Sequence, residues 1–121
     1  MKVLKCNSCG ATVLVVDDCN CKCGISCCDE EMREVTINSL EASFEKHMPK
    51  YNVVGDKIEV VVPHVMEEEH YIEFIALEHD NVIEKVSFKP GDVLRAEFNY
   101  IKGSTIYSLC NKHGLWKTLV E

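Results

Sequence analysis

The stretch Val93-Leu94-Arg95-Ala96-Glu97-Phe98-Asn99-Tyr100 places Leu94, Ala96, Phe98 and Tyr100 at every second position. Successive side chains of a strand point to opposite faces, so this segment has one apolar and one polar face and reads as a half-buried β-strand. The same alternation runs through residues 57–62 and 82–88, and residues 104–110 and 115–120 are further short candidates. Pro90-Gly91-Asp92 and Lys102-Gly103-Ser104 supply turn chemistry between them. Several short strands at this spacing predict an all-β sandwich for the second part of the chain. Residues 66–77 read two ways, because Met66, His70, Phe74 and Leu77 also share a helical face. Strand is expected from His70 onward, in keeping with its neighbours.

The first part differs in composition. Residues 1–35 hold seven of the eight cysteines, whereas residues 36–121 hold one cysteine and all five histidines. Apart from the cysteines, the apolar content of residues 1–35 is chiefly Val3, Leu4 and Val13 to Val16. So short a module cannot bury enough surface alone, and a bound metal is the expected staple. The boundary is expected between Arg33 and Ser39.

Whole-chain properties narrow the function. The 121 residues carry a net charge of -7, which argues against a nucleic-acid partner. No apolar run approaches the length of a membrane span, and Met1 to Lys5 does not read as the start of a signal peptide. The cytoplasm is therefore the expected location, where eight cysteines point to metal ligation over disulfides.

Four histidines and the isolated cysteine fall in three strings: Glu45-Lys46-His47-Met48-Pro49, Pro63-His64-Val65-Met66-Glu67-Glu68-Glu69-His70, and Cys110-Asn111-Lys112-His113-Gly114. Imidazole suits zinc, copper, iron or nickel, and a thiolate adds softness. Four imidazoles and a thiolate exceed the closed tetrahedron of structural zinc. Five ligands with one open position suit a redox metal that meets a small substrate, which points to iron. Each string is expected where a loop meets a strand. His79, in Glu78-His79-Asp80-Asn81, reads as part of an exposed turn and is left out of the site. Tyr71 and Trp116 read as packing beside ligands, and Glu67-Glu68-Glu69 as a solvated face.

These strings resemble the desulfoferrodoxin or superoxide reductase family, and the likeness covers nearly the whole chain. Val65 departs from the pattern, which has proline after the second histidine. The resemblance implies an immunoglobulin-like sandwich over residues 36–121. It implies an iron held by His47, His64, His70 and His113, with Cys110 opposite the open position. Fe²⁺ with four neutral imidazoles and one thiolate carries a single positive charge, which attracts superoxide and not neutral dioxygen. One-electron reduction to hydrogen peroxide is the implied activity. The family pattern further implies that Glu45 occupies the sixth position of oxidised iron and that Lys46 steers superoxide. A rubredoxin-like electron donor and a homodimer complete the expectation.

Cys6-Asn7-Ser8-Cys9-Gly10 is a metal knuckle, two thiols with glycine easing the turn. For the partner pair, Cys19, Cys21, Cys23, Cys27 and Cys28 compete. Resemblance to the desulforedoxin-type domain of two-iron members favours Cys27 and Cys28, giving an Fe(Cys)4 centre over residues 1–35, or zinc in its place. Two other functions remain open. One is an electron carrier working mainly through this centre, and the other a structural protein holding zinc in both parts.

Overall fold

The computed structural model of the chain describes residues 1–17, 23–38 and 44–121. They form two compact units, Met1–Thr36 and Ile37–Glu121. Cys19 and Cys21 lie outside the described residues, as does Ser39.

In the first unit, β1 (Lys2–Lys5) pairs antiparallel with β2 (Thr12–Val15) around the knuckle. Gly10 closes that turn at φ +76°, its amide donating to the Cys6 carbonyl at 3.0 Å. The dipeptides β3 (Ser26–Cys27) and β4 (Glu30–Glu31) form a tight hairpin. Its linking residues Cys28 and Asp29 both have positive φ, 54° and 61°, the sign a two-residue type I′ turn requires. The chain then adds β5 (Arg33–Glu34) to the free edge of β1, giving the order β2-β1-β5. Leu4, Cys6 and Met32 are the buried centre of this unit. That is a very small core.

The second unit is a β-sandwich preceded by one helical turn, α1 (Phe44–His47). One sheet has the order β10-β7-β6, built from β6 (Lys50–Val54), β7 (Lys57–Val61) and β10 (Arg95–Asn99). The other has the order β12-β11-β8-β9, built from β8 (Ile72–His79), β9 (Val82–Ser87), β11 (Thr105–Cys110) and β12 (Gly114–Leu119). All neighbouring strands are antiparallel. Ile58 and Val60 of β7 and Ala96 and Phe98 of β10 meet Ile75 and Leu77 of β8 and Ile106 of β11 in one buried cluster. Burial of a side chain of this size stabilises by roughly 1.5–3 kcal/mol, so the cluster is the main source of stability here.

Alternation located β7, β9 and β10. Ala96 and Phe98 are buried, while Arg95, Glu97 and Asn99 between them are exposed. Tyr100, expected on the same apolar face, lies beyond the strand end and is exposed. The ambiguous stretch resolves as strand, β8, from Ile72. His79 is the last residue of β8 and half-buried, because β8 continues to a turn at Asp80, which takes φ +48°. No helix among the described residues is long and apolar enough to cross a membrane.

Candidate metal centres

The sandwich brings donors from both ends of the second unit's sequence to one point. His47 closes α1, a helical end where a loop-to-strand junction was expected. Pro49 accounts for the single turn, since it offers no N–H and disfavours helical backbone at Met48. His64 lies just beyond β7, and His70 two residues before β8. Cys110 ends β11 and His113 sits in the turn to β12.

A bulge sets the aim of Cys110. Leu109 pairs with Phe74, yet Cys110 pairs with Ile72, leaving Glu73 as an extra residue on β8. Ile72 and Ile75 therefore both face the core, and Cys110 joins the same buried cluster. Bulges beside sites commonly re-aim a side chain in this way.

The donor atoms converge. Ligand atoms of His47, His70, Cys110 and His113 all lie within 4.8 Å of one another. His113 Nδ1 is 3.1 Å from His47 Nε2 and 3.2 Å from His70 Nε2. Two nitrogens about 2.1 Å from a common ion stand about 3.0 Å apart at right angles, so the spacing fits neighbouring ligands of one metal. Cys110 Sγ is 3.7 Å from His113 Nδ1 and 3.4 Å from His64 Nε2. His64 thus joins through the thiol, with its ring centroid 4.7 Å from that of His47 and 4.5 Å from that of His70. The four histidines and Cys110 form a site able to hold a metal.

Surroundings set the tautomer of His64 and bear on the charge of His64, His70 and Cys110. Val65 O lies 2.5 Å from His64 Nδ1, so that nitrogen keeps its proton and Nε2 presents the lone pair. Burial lowers His64 to about 4 and also lowers His70. Both imidazoles are therefore neutral, the form a metal needs. Burial pushes the Cys110 thiol up, while the His113 amide donates to its sulfur at 3.4 Å. A bound cation reverses that rise and deprotonates the thiol.

A cleft of about 530 Å³ opens beside these donors, lined by Lys46, His47, Val62, Pro63, His64, Val65, Glu67 and His70. Lys46 is on its wall, whereas Glu45 is exposed on α1 and not among the lining residues. Glu68 and Glu69 are exposed, as a solvated face should be. Glu67 is exposed too but borders the cleft, and its backbone pairs with His70 in both directions at 2.9 and 3.2 Å. Trp116 is fully buried and stacks on the His47 ring, centroids 5.0 Å apart.

Asn111 has no role assigned by its residue type or spacing. Its Oδ1 accepts the Tyr71 amide at 3.0 Å and its Nδ2 donates to the Glu69 carbonyl at 3.0 Å. It ties the turn bearing Cys110 and His113 to the segment bearing His70. Its place inside the third string was the available signal.

In the first unit, Cys6, Cys9, Cys27 and Cys28 gather within 4.8 Å and form a second site able to hold a metal. The Cys9 and Cys27 sulfurs are 3.7 Å apart, those of Cys27 and Cys28 3.9 Å. Cys28 reaches the cluster from left-handed backbone, which costs a non-glycine residue about 1–2 kcal/mol. The Cys9 amide lowers Cys6 to about 7, while hydrogen bonding to Cys6 and Cys9 raises Cys27 to about 12. Full ionisation of the cluster therefore calls for a cation. Cys23 is exposed and is not in the cluster.

The chain is similar to proteins of known kind along most of its length. The family model for desulfoferrodoxin matches residues 39–119. A desulfoferrodoxin homolog from Archaeoglobus fulgidus is 35% identical over 122 residues, covering 98% of this chain and 96% of that one. The desulfoferrodoxin of Nitratidesulfovibrio vulgaris is 36% identical over 121 residues, covering 96% and 94%. Among solved structures, the superoxide reductase from Treponema pallidum aligns with a TM-score of 0.70 and 25% identity, covering 95% of this chain and 98% of that one.

Proposed function

The chain belongs to the desulfoferrodoxin family, and from that premise we propose that it is a superoxide reductase. The proposed reaction joins superoxide, one electron and two protons to give hydrogen peroxide. The observation that carries the proposal is the convergence of four imidazoles and one thiol beside an open cleft with a lysine on its wall. His47, His64, His70, His113 and Cys110 would hold iron, which when bound supplies one-electron redox chemistry and a positive charge.

The remaining work falls to the chain itself. The protein carries a net charge of -7, so its overall field opposes an approaching anion. The Lys46 ammonium provides a local cation at the cleft and raises the anion concentration there. The cleft is open to water, which delivers the protons. Val62, Pro63 and Val65 line it with apolar surface and offer a departing neutral peroxide no charge to hold it. Glu45 is proposed as a sixth ligand of oxidised iron, reached by a swing of its exposed side chain from α1.

On the same premise, Cys6, Cys9, Cys27 and Cys28 hold a second iron, with zinc as the substitute, in a desulforedoxin-like unit of residues 1–35. Residues 36–121 are then the reductase unit. A rubredoxin-like electron donor, a homodimer and a cytoplasmic location are proposed from the resemblance.

Anaerobically purified protein tests the proposal. Iron analysis should give two equivalents, and pulse-generated superoxide should yield peroxide without dioxygen. Evolution of dioxygen from superoxide, or a colourless zinc protein inert to it, would overturn the reading.

A further inference from the structure

Three side chains outside the donor set act on one short segment of the second unit. Ser108 of β11 and Trp116 of β12 are directly paired across the ladder, and Thr118 follows two residues later on the same face. Ser108 Oγ donates to the His47 carbonyl at 2.9 Å, and both groups are buried. Thr118 Oγ1 donates to the Pro49 carbonyl at 2.7 Å. The Trp116 indole lies nearly parallel to the His47 ring, 28° between planes, and Phe44 meets the indole edge-on at 5.2 Å. Backbone and ring of His47 are thus gripped from one sheet face.

Core filling does not account for an indole at this place. Trp116 Nε1 is buried without a hydrogen-bond acceptor among the described residues, and a stranded donor is destabilising. A phenylalanine would occupy apolar space without stranding one. What the indole adds is a broad electron-rich face against an imidazole. That imidazole becomes electron-poor when its other nitrogen binds a cation, which strengthens the stack.

We infer that Ser108 and Trp116 are positioning residues that hold the carbonyl and ring of His47 and thereby set the metal affinity of the His/Cys site. The inference rests on the reading of His47 as a ligand. Groups that orient metal-binding histidines typically change affinity or activity by about 10- to 100-fold when removed.

The test compares two buried serines. Ser104 Oγ donates to the Ile101 carbonyl at 2.6 Å, and Ser104 is as buried as Ser108. Ser108→Ala and Ser104→Ala should lower the melting temperature alike. Ser108→Ala alone should weaken Co²⁺ binding at the His/Cys site by about 10-fold or more. Titration against a competing chelator reads this through quenching of Trp116, the chain's only tryptophan. For the ring, Trp116→Leu should weaken binding and shift the visible bands of the cobalt protein, while Trp116→Phe, with a smaller and less electron-rich face, should restore only part of both. Equal affinities for the two serine variants, with unshifted bands in Trp116→Leu, would overturn the inference and leave Trp116 as core. If Trp116→Leu does not fold, the serine pair decides alone. His47→Ala separates the two readings: unchanged cobalt bands there would remove His47 from the ligand set itself.

Discussion

The two units solve the same problem in opposite ways. Each gathers ligand atoms within 4.8 Å, but among the described residues the buried cluster around the first unit's thiols is only Leu4, Cys6 and Met32. One of those three, Cys6, belongs to the thiol cluster able to hold a metal. The second unit has a two-sheet core of which Cys110 is a single member. In the first, a bound metal is the proposed staple of the fold. In the second, the fold holds the donors. Exposure differs too: Cys9 and Cys28 are exposed, whereas His47 and Cys110 are buried and His64, His70 and His113 are half-buried. A staple needs only convergent ligands, while a reactive centre also needs its donors fixed before the substrate arrives.

The comparison breaks most visibly if the metals are removed. Chelation should abolish hydrogen-exchange protection in β1 and β2 while leaving β8 and β11 protected, because a stapled small module loses its folding energy with its metal. Serine in place of Cys6, Cys9, Cys27 or Cys28 should cost one metal equivalent with the same local effect. Cys23→Ser should leave the metal content unchanged. Persistent protection of β1 without metal would show that the small core suffices.

Next in size is the thiolate. Cys110→Ser should abolish the visible ferric band and superoxide reduction, while circular dichroism shows the sandwich intact. Retained activity would sink the proposal that Cys110 holds the iron. A core change should do the reverse. Ile75→Ala, at a fully buried position, should destabilise the second unit by about 2–5 kcal/mol with both metals still bound at low temperature.

Lys46→Ala should slow the second-order reaction with superoxide by about ten-fold, with iron content and ferric spectrum unchanged. Raising ionic strength should slow the wild type more than the variant, because screening removes what the mutation has already removed. Equal rate constants at low salt would make Lys46 a solvated neighbour.

The smallest effect is on pH. Burial lowers His64 from 6.5 to about 4 in the metal-free unit. The unfolded chain then binds more protons between those values, so stability is full above about 6.5 and falls as pH drops toward 4. Thermal unfolding of chelated protein at pH 7 and pH 5 measures this. His64→Gln should flatten the difference.

Parts of this were legible in the sequence for stated reasons. β7 and β10 each face the core on one side, so their alternation showed. β6 lacks that signature: Val53 and Val54 are adjacent and both exposed, and an edge strand carries little burial signal. The bulge at Glu73 left no trace, since it is defined by the register against β11. The grips on His47 by Ser108 and Trp116 were likewise invisible, because nothing local marks a serine or tryptophan as facing a residue more than sixty positions away.

The sequence by itself determined which side chains can be donors, that they come in a sulfur-rich set and a histidine-rich set, and that the second set sits among strands. Residue type and short spacing carry that information. Only the tertiary structure decided which atom each donor presents, Nδ1 from His113 against Nε2 from His47, His64 and His70. It also decided that Lys46 and not Glu45 lines the cleft. The physical reason is that side-chain period fixes a face within one strand, whereas convergence between residues 47 and 113 depends on sheet register, one bulge and the grip on α1.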